Sequence, residues 1–121
     1  MNFNLSYIPK RSEKPRQQGV TMMMDKGLSL RQTEDFIESS GGLTDIVKFG
    51  FGTAFVTQNL EEKIKLYKSA GIRCYFGGTL FEAFYARGQF TEYMKLCSKY
   101  NLDLAEISDG SIIIPHDDKC E

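Results

Sequence analysis

The stretch Asp45-Ile46-Val47-Lys48-Phe49-Gly50-Phe51-Gly52-Thr53 decides the fold. A short apolar run closed by glycines reads as a buried strand over 45–49 followed by a tight turn. An amphipathic pattern comes next: Leu60, Ile64 and Tyr67 recur at helical spacing, opening near Asn59 and ending at Gly71. This is one strand–helix unit, and its charged member, Lys48, sits inside the strand.

The same form repeats on both sides. Upstream, Gly19-Val20-Thr21-Met22-Met23-Met24-Asp25 reads as a strand ending in a carboxylate. Ser29 with Gln32 then forms a capping-box pattern ahead of Leu30, Phe36 and Ile37. Downstream, Ile72-Arg73-Cys74-Tyr75-Phe76 is a third strand, followed by Gly77-Gly78 and a helix that Thr79 and Glu82 would cap. Gly88 breaks that helix, and Phe90, Met94 and Cys97 carry it on. Leu104-Ala105-Glu106-Ile107 reads as a fourth strand leading into Ser108-Asp109-Gly110, with Pro115 opening the start of a fourth helix.

Four βα units at a pitch of about 25–30 residues indicate a parallel α/β fold. Ionisable residues lie in or at the end of every strand (Asp25, Lys48, Arg73 and Glu106), and no G-x-G-x-x-G follows the first. Both features favour a (β/α)8 barrel over a doubly wound sheet. The chain then divides into a polar, basic arm, 1–18, and half a barrel, 19–121. Four strands alone leave two open edges, so the expectation is a longer natural protein or a pairing of two copies, that is, a homo-oligomer.

Composition narrows the function. The 121 residues are 41% hydrophobic and 26% charged, with a net charge of -1, so neither nucleic acid nor a membrane surface is an expected partner. There is no apolar run of about 18 residues for a membrane span and no signal-peptide pattern. Cys74, Cys97 and Cys120 lack metal or disulfide spacing. Cys74 and Cys97 read as buried thiols in a reducing cytoplasm. The lone His116 reads as a helix-start or loop residue.

In a closed parallel barrel the strand ends share one mouth. It would hold Asp25, Lys48, Glu106, Asp109 and Glu82. Carboxylates beside a lysine suit magnesium and an anionic substrate. The turns Gly50-Phe51-Gly52 and Gly77-Gly78 offer backbone amides to phosphate, and Arg16 is a further anion-binding candidate. Plainer readings stand beside these. Glu82 would cap its helix through Thr79, Asp25 would serve the loop after its strand, and Lys48 with Glu106 would form an ion pair without a catalytic role.

The strings Lys14-Pro15-Arg16, Gly19-Val20-Thr21-Met22, Asp25-Lys26-Gly27, Asp45-Ile46-Val47-Lys48-Phe49-Gly50, Gly77-Gly78-Thr79-Leu80-Phe81-Glu82 and Glu106-Ile107-Ser108-Asp109-Gly110 occur in this order. Together they resemble the phosphosulfolactate synthase family over about residues 9–119, the last two strings being the most specific. The resemblance implies a (β/α)8 barrel about twice this length. It also implies a carbon–sulfur lyase performing magnesium-dependent addition of sulfite to phosphoenolpyruvate, which gives (2R)-2-phospho-3-sulfolactate and feeds coenzyme M biosynthesis in methanogens. On that reading Asp25, Glu82, Glu106 and Asp109 contact Mg2+, directly or through water. Lys48 and Glu106 are the catalytic pair, and Lys48, Gly77, Gly78 and Arg16 bind substrate or its phosphate. This half alone would be inactive. The resemblance leaves two alternatives: a non-catalytic barrel of the heat-stress-associated type, and another lyase or aldolase using Lys48 as a Schiff base.

Overall fold

The computed structural model describes residues 2–119, so Cys120 and the last residue of the expected 19–121 unit lie outside it. Three strands form a parallel sheet in the order β1 (Met22–Asp25), β2 (Ile46–Phe49) and β3 (Arg73–Phe76). Between and after them come α1 (Leu30–Ser40), α2 (Leu60–Ser69), α3 (Gly78–Tyr85), α4 (Phe90–Lys99) and a single turn, α5 (His116–Lys119). Short 3-10 turns, Gly41–Leu43 and Gly50–Phe55, precede and follow β2.

Register decides what each strand residue faces, because side chains alternate across a sheet. One face carries the rows Met23, Val47, Cys74 and Asp25, Phe49, Phe76. This is the packed face. Val47, Phe49, Cys74 and Phe76 are at most 2% exposed, and Phe49 meets Tyr67 of α2 edge to face. Fully burying such side chains contributes about 1.5–3 kcal/mol each. The other face carries Met22, Ile46, Arg73 and, one row toward the strand ends, Met24, Lys48 and Tyr75.

The helices follow from local chemistry. Ser29 accepts from the Gln32 N–H at 3.1 Å and its own N–H donates to Gln32 Oε1 at 2.9 Å, the expected capping box. Glu61 and Glu62 sit in the first turn of α2 and Lys68 in its last, in line with the helix dipole. Asn59 precedes α2 in a left-handed conformation and makes no side-chain cap. The break expected at Gly88 separates α3 from α4.

The expected fourth strand is corrected. Residues 104–107 keep a strand-like alternation, Leu104 and Glu106 half-buried and Ala105 and Ile107 exposed, yet join no ladder. Side chains hold this segment instead: Glu106 binds Lys48 and Gly78, and Ser108 binds Glu82. The capping box expected at Thr79 and Glu82 is also corrected. Helix α3 begins two residues earlier than that cap implies, at Gly78 with Gly77 as N-cap, so Thr79 lies inside it.

The basic arm is pinned to the opposite end of the sheet from Lys48. Arg16 donates to Asp45 Oδ1 at 2.6 Å, just before β2, and to the Gly42 and Ser12 carbonyls. Arg11 reaches the Leu43 carbonyl and the Thr21 hydroxyl. Lys14 donates to the Gly41 and Ala70 carbonyls, at the C-terminal ends of α1 and α2, where a cation is favoured. Burial pushes the Asp45 pKa up, and the Thr21 N–H and Arg16 outweigh this, holding the carboxyl below its usual range.

Candidate active site

Lys48 is the penultimate residue of β2, on the less packed face of the sheet. Its ammonium donates to Glu106 Oε1 at 3.0 Å and lies 2.9 Å from Oε2. The two side chains are 19% and 33% exposed, so the pair is held yet reachable from solvent. The N–H of Gly78, at the start of α3, donates to Glu106 Oε1 at 3.1 Å. Partial burial pushes the Glu106 pKa up. Lys48, the Gly78 N–H and the Tyr75 hydroxyl outweigh it, so the carboxyl sits below its ordinary range and is ionised at neutral pH.

Two glycines make this closeness possible. A Cβ on Gly77 would stand 2.8 Å from Lys48 Cε and 3.1 Å from the Phe49 carbonyl oxygen. A Cβ on Gly78 would overlap Ser108 Oγ and lie 2.8 Å from Glu106 Oε1. The Gly77-Gly78 pair therefore opens space for Lys48, Glu106 and Ser108 to reach the helix terminus. The Gly78 amide is engaged by Glu106, an internal anion where phosphate was expected. Gly78→Ala is expected to destabilise the protein by about 1–3 kcal/mol through overpacking. It should also displace Glu106, and urea unfolding with side-chain carboxyl NMR would register both; wild-type values in both would remove the steric argument.

The other expected residues fall elsewhere or play other parts. Asp25 faces the packed side of the sheet, opposite to Lys48, and is fully buried. Its Oδ1 accepts from the Gly27 and Leu28 N–H groups at 2.8 and 2.9 Å. Its Oδ2 accepts from Tyr67 at 2.8 Å and from Lys63 at 2.8 Å. Arg16 is at the far end of the sheet, engaged with Asp45. Glu82 is 4% exposed and accepts from the Ser108 hydroxyl at 2.7 Å and the Ser111 N–H at 2.6 Å. Asp109 is exposed on the loop that carries Glu106.

Two residues that the sequence reading passed over belong here. Tyr75 is paired with Lys48 in the β2–β3 register, and the same alternation places it on the same face. Burial and the Glu106 charge raise its pKa, so it stays a protonated donor. A signal existed: Met24, Lys48 and Tyr75 are each the penultimate residue of their strand. Ser108 is the second, and its role shows only once α3 and the 106–111 loop are together.

The donor set bears on magnesium, which takes one or two carboxylates and keeps several waters. Glu106, ionised and a third exposed, fits that requirement. Asp25, with four donors and no exposed surface, does not. Among the described residues no three His, Cys, Asp or Glu side chains converge as a ready metal cluster. A cavity of about 470 Å³ opens between the turn after β2 and α3, lined by Phe51, Gly52, Phe55, Leu80, Phe84 and Arg87 among others; of the expected residues it includes Phe51 and Gly52 of the glycine turn.

The two most specific strings of the sequence thus meet in space, Glu106 and Ser108 resting on Gly78 and Glu82. The family model for (2R)-phospho-3-sulfolactate synthase matches residues 9–121. The chain belongs to that family. It is similar to the phosphosulfolactate synthase of Methanocaldococcus jannaschii, 45% identical over 97 residues, covering 78% of this chain and 39% of that protein. The Bacillus subtilis phosphosulfolactate synthase is 36% identical over 118 residues, 98% of this chain and 46% of its own length. That of Methanothermobacter thermautotrophicus is 36% identical over 114 residues, 93% and 44% respectively. The chain spans less than half the length of these curated relatives. No helix among the described residues is long and apolar enough to cross a membrane.

Proposed function

We propose that this chain forms part of a phosphosulfolactate synthase site within a (β/α)8 barrel, adding sulfite to phosphoenolpyruvate to give (2R)-2-phospho-3-sulfolactate. In lyase terms the reverse reaction breaks the carbon–sulfur bond. The observation that carries the proposal is the partly exposed Lys48–Glu106 pair at a strand end, in a chain of this family.

The sulfur lone pair of sulfite attacks the methylene carbon of phosphoenolpyruvate. The double-bond electrons move toward the neighbouring carbon and its carboxylate, and that carbon then takes a proton. Negative charge therefore grows on the carboxylate while the phosphate stays dianionic. A preorganised cation is the efficient stabiliser of such charge. Lys48 supplies one by turning its ammonium from Glu106 to the substrate anion. Glu106 keeps the Gly78 N–H and the Tyr75 hydroxyl during that exchange and so remains placed. Glu106, with Asp109 on the same loop, would hold Mg2+, which when bound would supply further positive charge to the site. A Schiff base at Lys48 would need the free amine as nucleophile; here the ammonium donates to a carboxylate, which favours its use as a charge.

The test is a reaction of the natural protein with phosphoenolpyruvate, sulfite and magnesium, followed by 31P NMR. A new phosphate-ester resonance that requires all three is expected. Unchanged phosphoenolpyruvate after extended incubation would sink the reading and favour a non-catalytic homologue.

A further inference from the structure

We infer that Glu82 is a positioning residue, which through Ser108 and Ser111 clasps the 106–111 loop onto α3 and so presents Glu106 to Lys48. This rests on the proposed function for its consequence, but the clasp itself is a separate claim.

Glu82 is a carboxylate 4% exposed, on a helix whose neighbouring residues Leu80 and Phe81 are equally buried. Such a group is retained only where donors meet it. Both donors come from one distant loop: the Ser108 hydroxyl at 2.7 Å to Oε2 and the Ser111 N–H at 2.6 Å to Oε1. Charge-assisted bonds of this kind are about twice as strong as neutral ones. The seat has a second wall. Gly78 lies four residues before Glu82, on the same side of α3, and only its missing Cβ admits Ser108. Glu106, two residues before Ser108, then meets the Gly78 N–H and Lys48. Segment 104–107 has no backbone ladder to fix it, so these side-chain bonds hold the loop in register. Glu82 thus uses its oxygens on the loop, and magnesium has no need of them.

The experiment compares Glu82→Ala, Glu82→Gln and Ser108→Ala in the natural protein by amide hydrogen exchange, phosphoenolpyruvate affinity and magnesium affinity. Glu82→Ala and Ser108→Ala should each speed exchange of amides 108–111 by about tenfold, as a local opening does. Both should weaken phosphoenolpyruvate binding by about tenfold. In a Glu106→Gln background Glu82→Ala should weaken binding no further, since the effect acts through Glu106. Glu82→Gln, which keeps the volume and one acceptor, should fall between wild type and Glu82→Ala, and serves if the alanine variant does not fold.

Loss of magnesium affinity in the Glu82 variants with wild-type exchange in 108–111 would overturn the clasp and make Glu82 a ligand. Wild-type exchange in Ser108→Ala would overturn it as well. If phosphoenolpyruvate stays unchanged with sulfite and magnesium in the wild-type protein, the functional reading fails, while the exchange rates still decide the clasp.

Discussion

Lys63→Met is expected to lower the free energy of unfolding by about 3–5 kcal/mol, the usual cost of stripping one partner from a buried ion pair. Lys63 and Asp25 are both fully buried, 2.8 Å apart. The lysine also donates to the Leu28 carbonyl at 2.6 Å and lies over the Phe49 ring at 5.5 Å. Methionine preserves the packing of the stem and removes the charge, leaving the Asp25 carboxylate with Tyr67 and two backbone N–H groups. Set against a typical domain stability of about 5–15 kcal/mol, the loss is large.

The pH dependence supplies a second reading of the same pair. Burial pushes the Asp25 pKa up, but Lys63, the Leu28 N–H, Tyr67 and the Gly27 N–H outweigh it and bring it below its ordinary value. A folded pKa below the unfolded one contributes stability that is present above about pH 4, the unfolded value, and lost as pH falls through the folded pKa. Without Lys63 the burial effect meets less opposition and the folded pKa rises. The gap between Lys63→Met and wild type should therefore narrow as the pH is lowered from 7 toward about 4. Urea unfolding across that range checks it. A gap under about 1 kcal/mol, or one independent of pH, would show that the pair is solvated or otherwise compensated. Replacing both partners, Asp25→Asn with Lys63→Met, should recover part of the loss.

Asp25 also marks where sequence reading stops. The sequence shows a carboxylate ending a strand, and strand ends in parallel barrels converge on a site. Whether that carboxylate faces the site or the helices depends on parity, since a shift of one residue exchanges the faces. Its partners Lys63 and Tyr67 lie 38 and 42 residues onward, which no local pattern reveals. Arg16 was misplaced for a similar reason: a basic arm looks like an anion site until Asp45 is brought beside it. The Glu82 pattern with Thr79 was indistinguishable from a cap, because three-residue spacing says nothing of a loop 26 residues away. Lys48 and the Ser29 box were legible because each is a local contradiction or a local rule: a charge inside an apolar run, and two side chains that satisfy each other's N–H groups. The fourth strand was read from alternation, and alternation is there; the ladder that would make it a strand is not.

Lys48→Met is expected to lower kcat/KM for sulfite addition by about 10²–10³-fold, the effect of removing one preorganised donor from a developing anion. Stability should hardly change. The pair with Glu106 is partly exposed, and such pairs contribute about 1 kcal/mol or less. Methionine matches the length of the lysine stem that runs past Gly77, so the packing there survives, and Glu106 keeps Gly78 and Tyr75. Lys48→Arg tests position as well as charge. A planar guanidinium is bulkier than the stem end that already lies 2.8 Å from where a Gly77 Cβ would be, so arginine should restore only part of the rate. A purely structural pair predicts the reverse pattern: rates near wild type in both variants, with any loss appearing in the urea midpoint. If Lys48→Met keeps more than about half of kcat/KM, the ammonium does not stabilise the transition state. The charge must then come from elsewhere in the site, and the Lys48–Glu106 contact is left as a tether between β2 and the loop after α4.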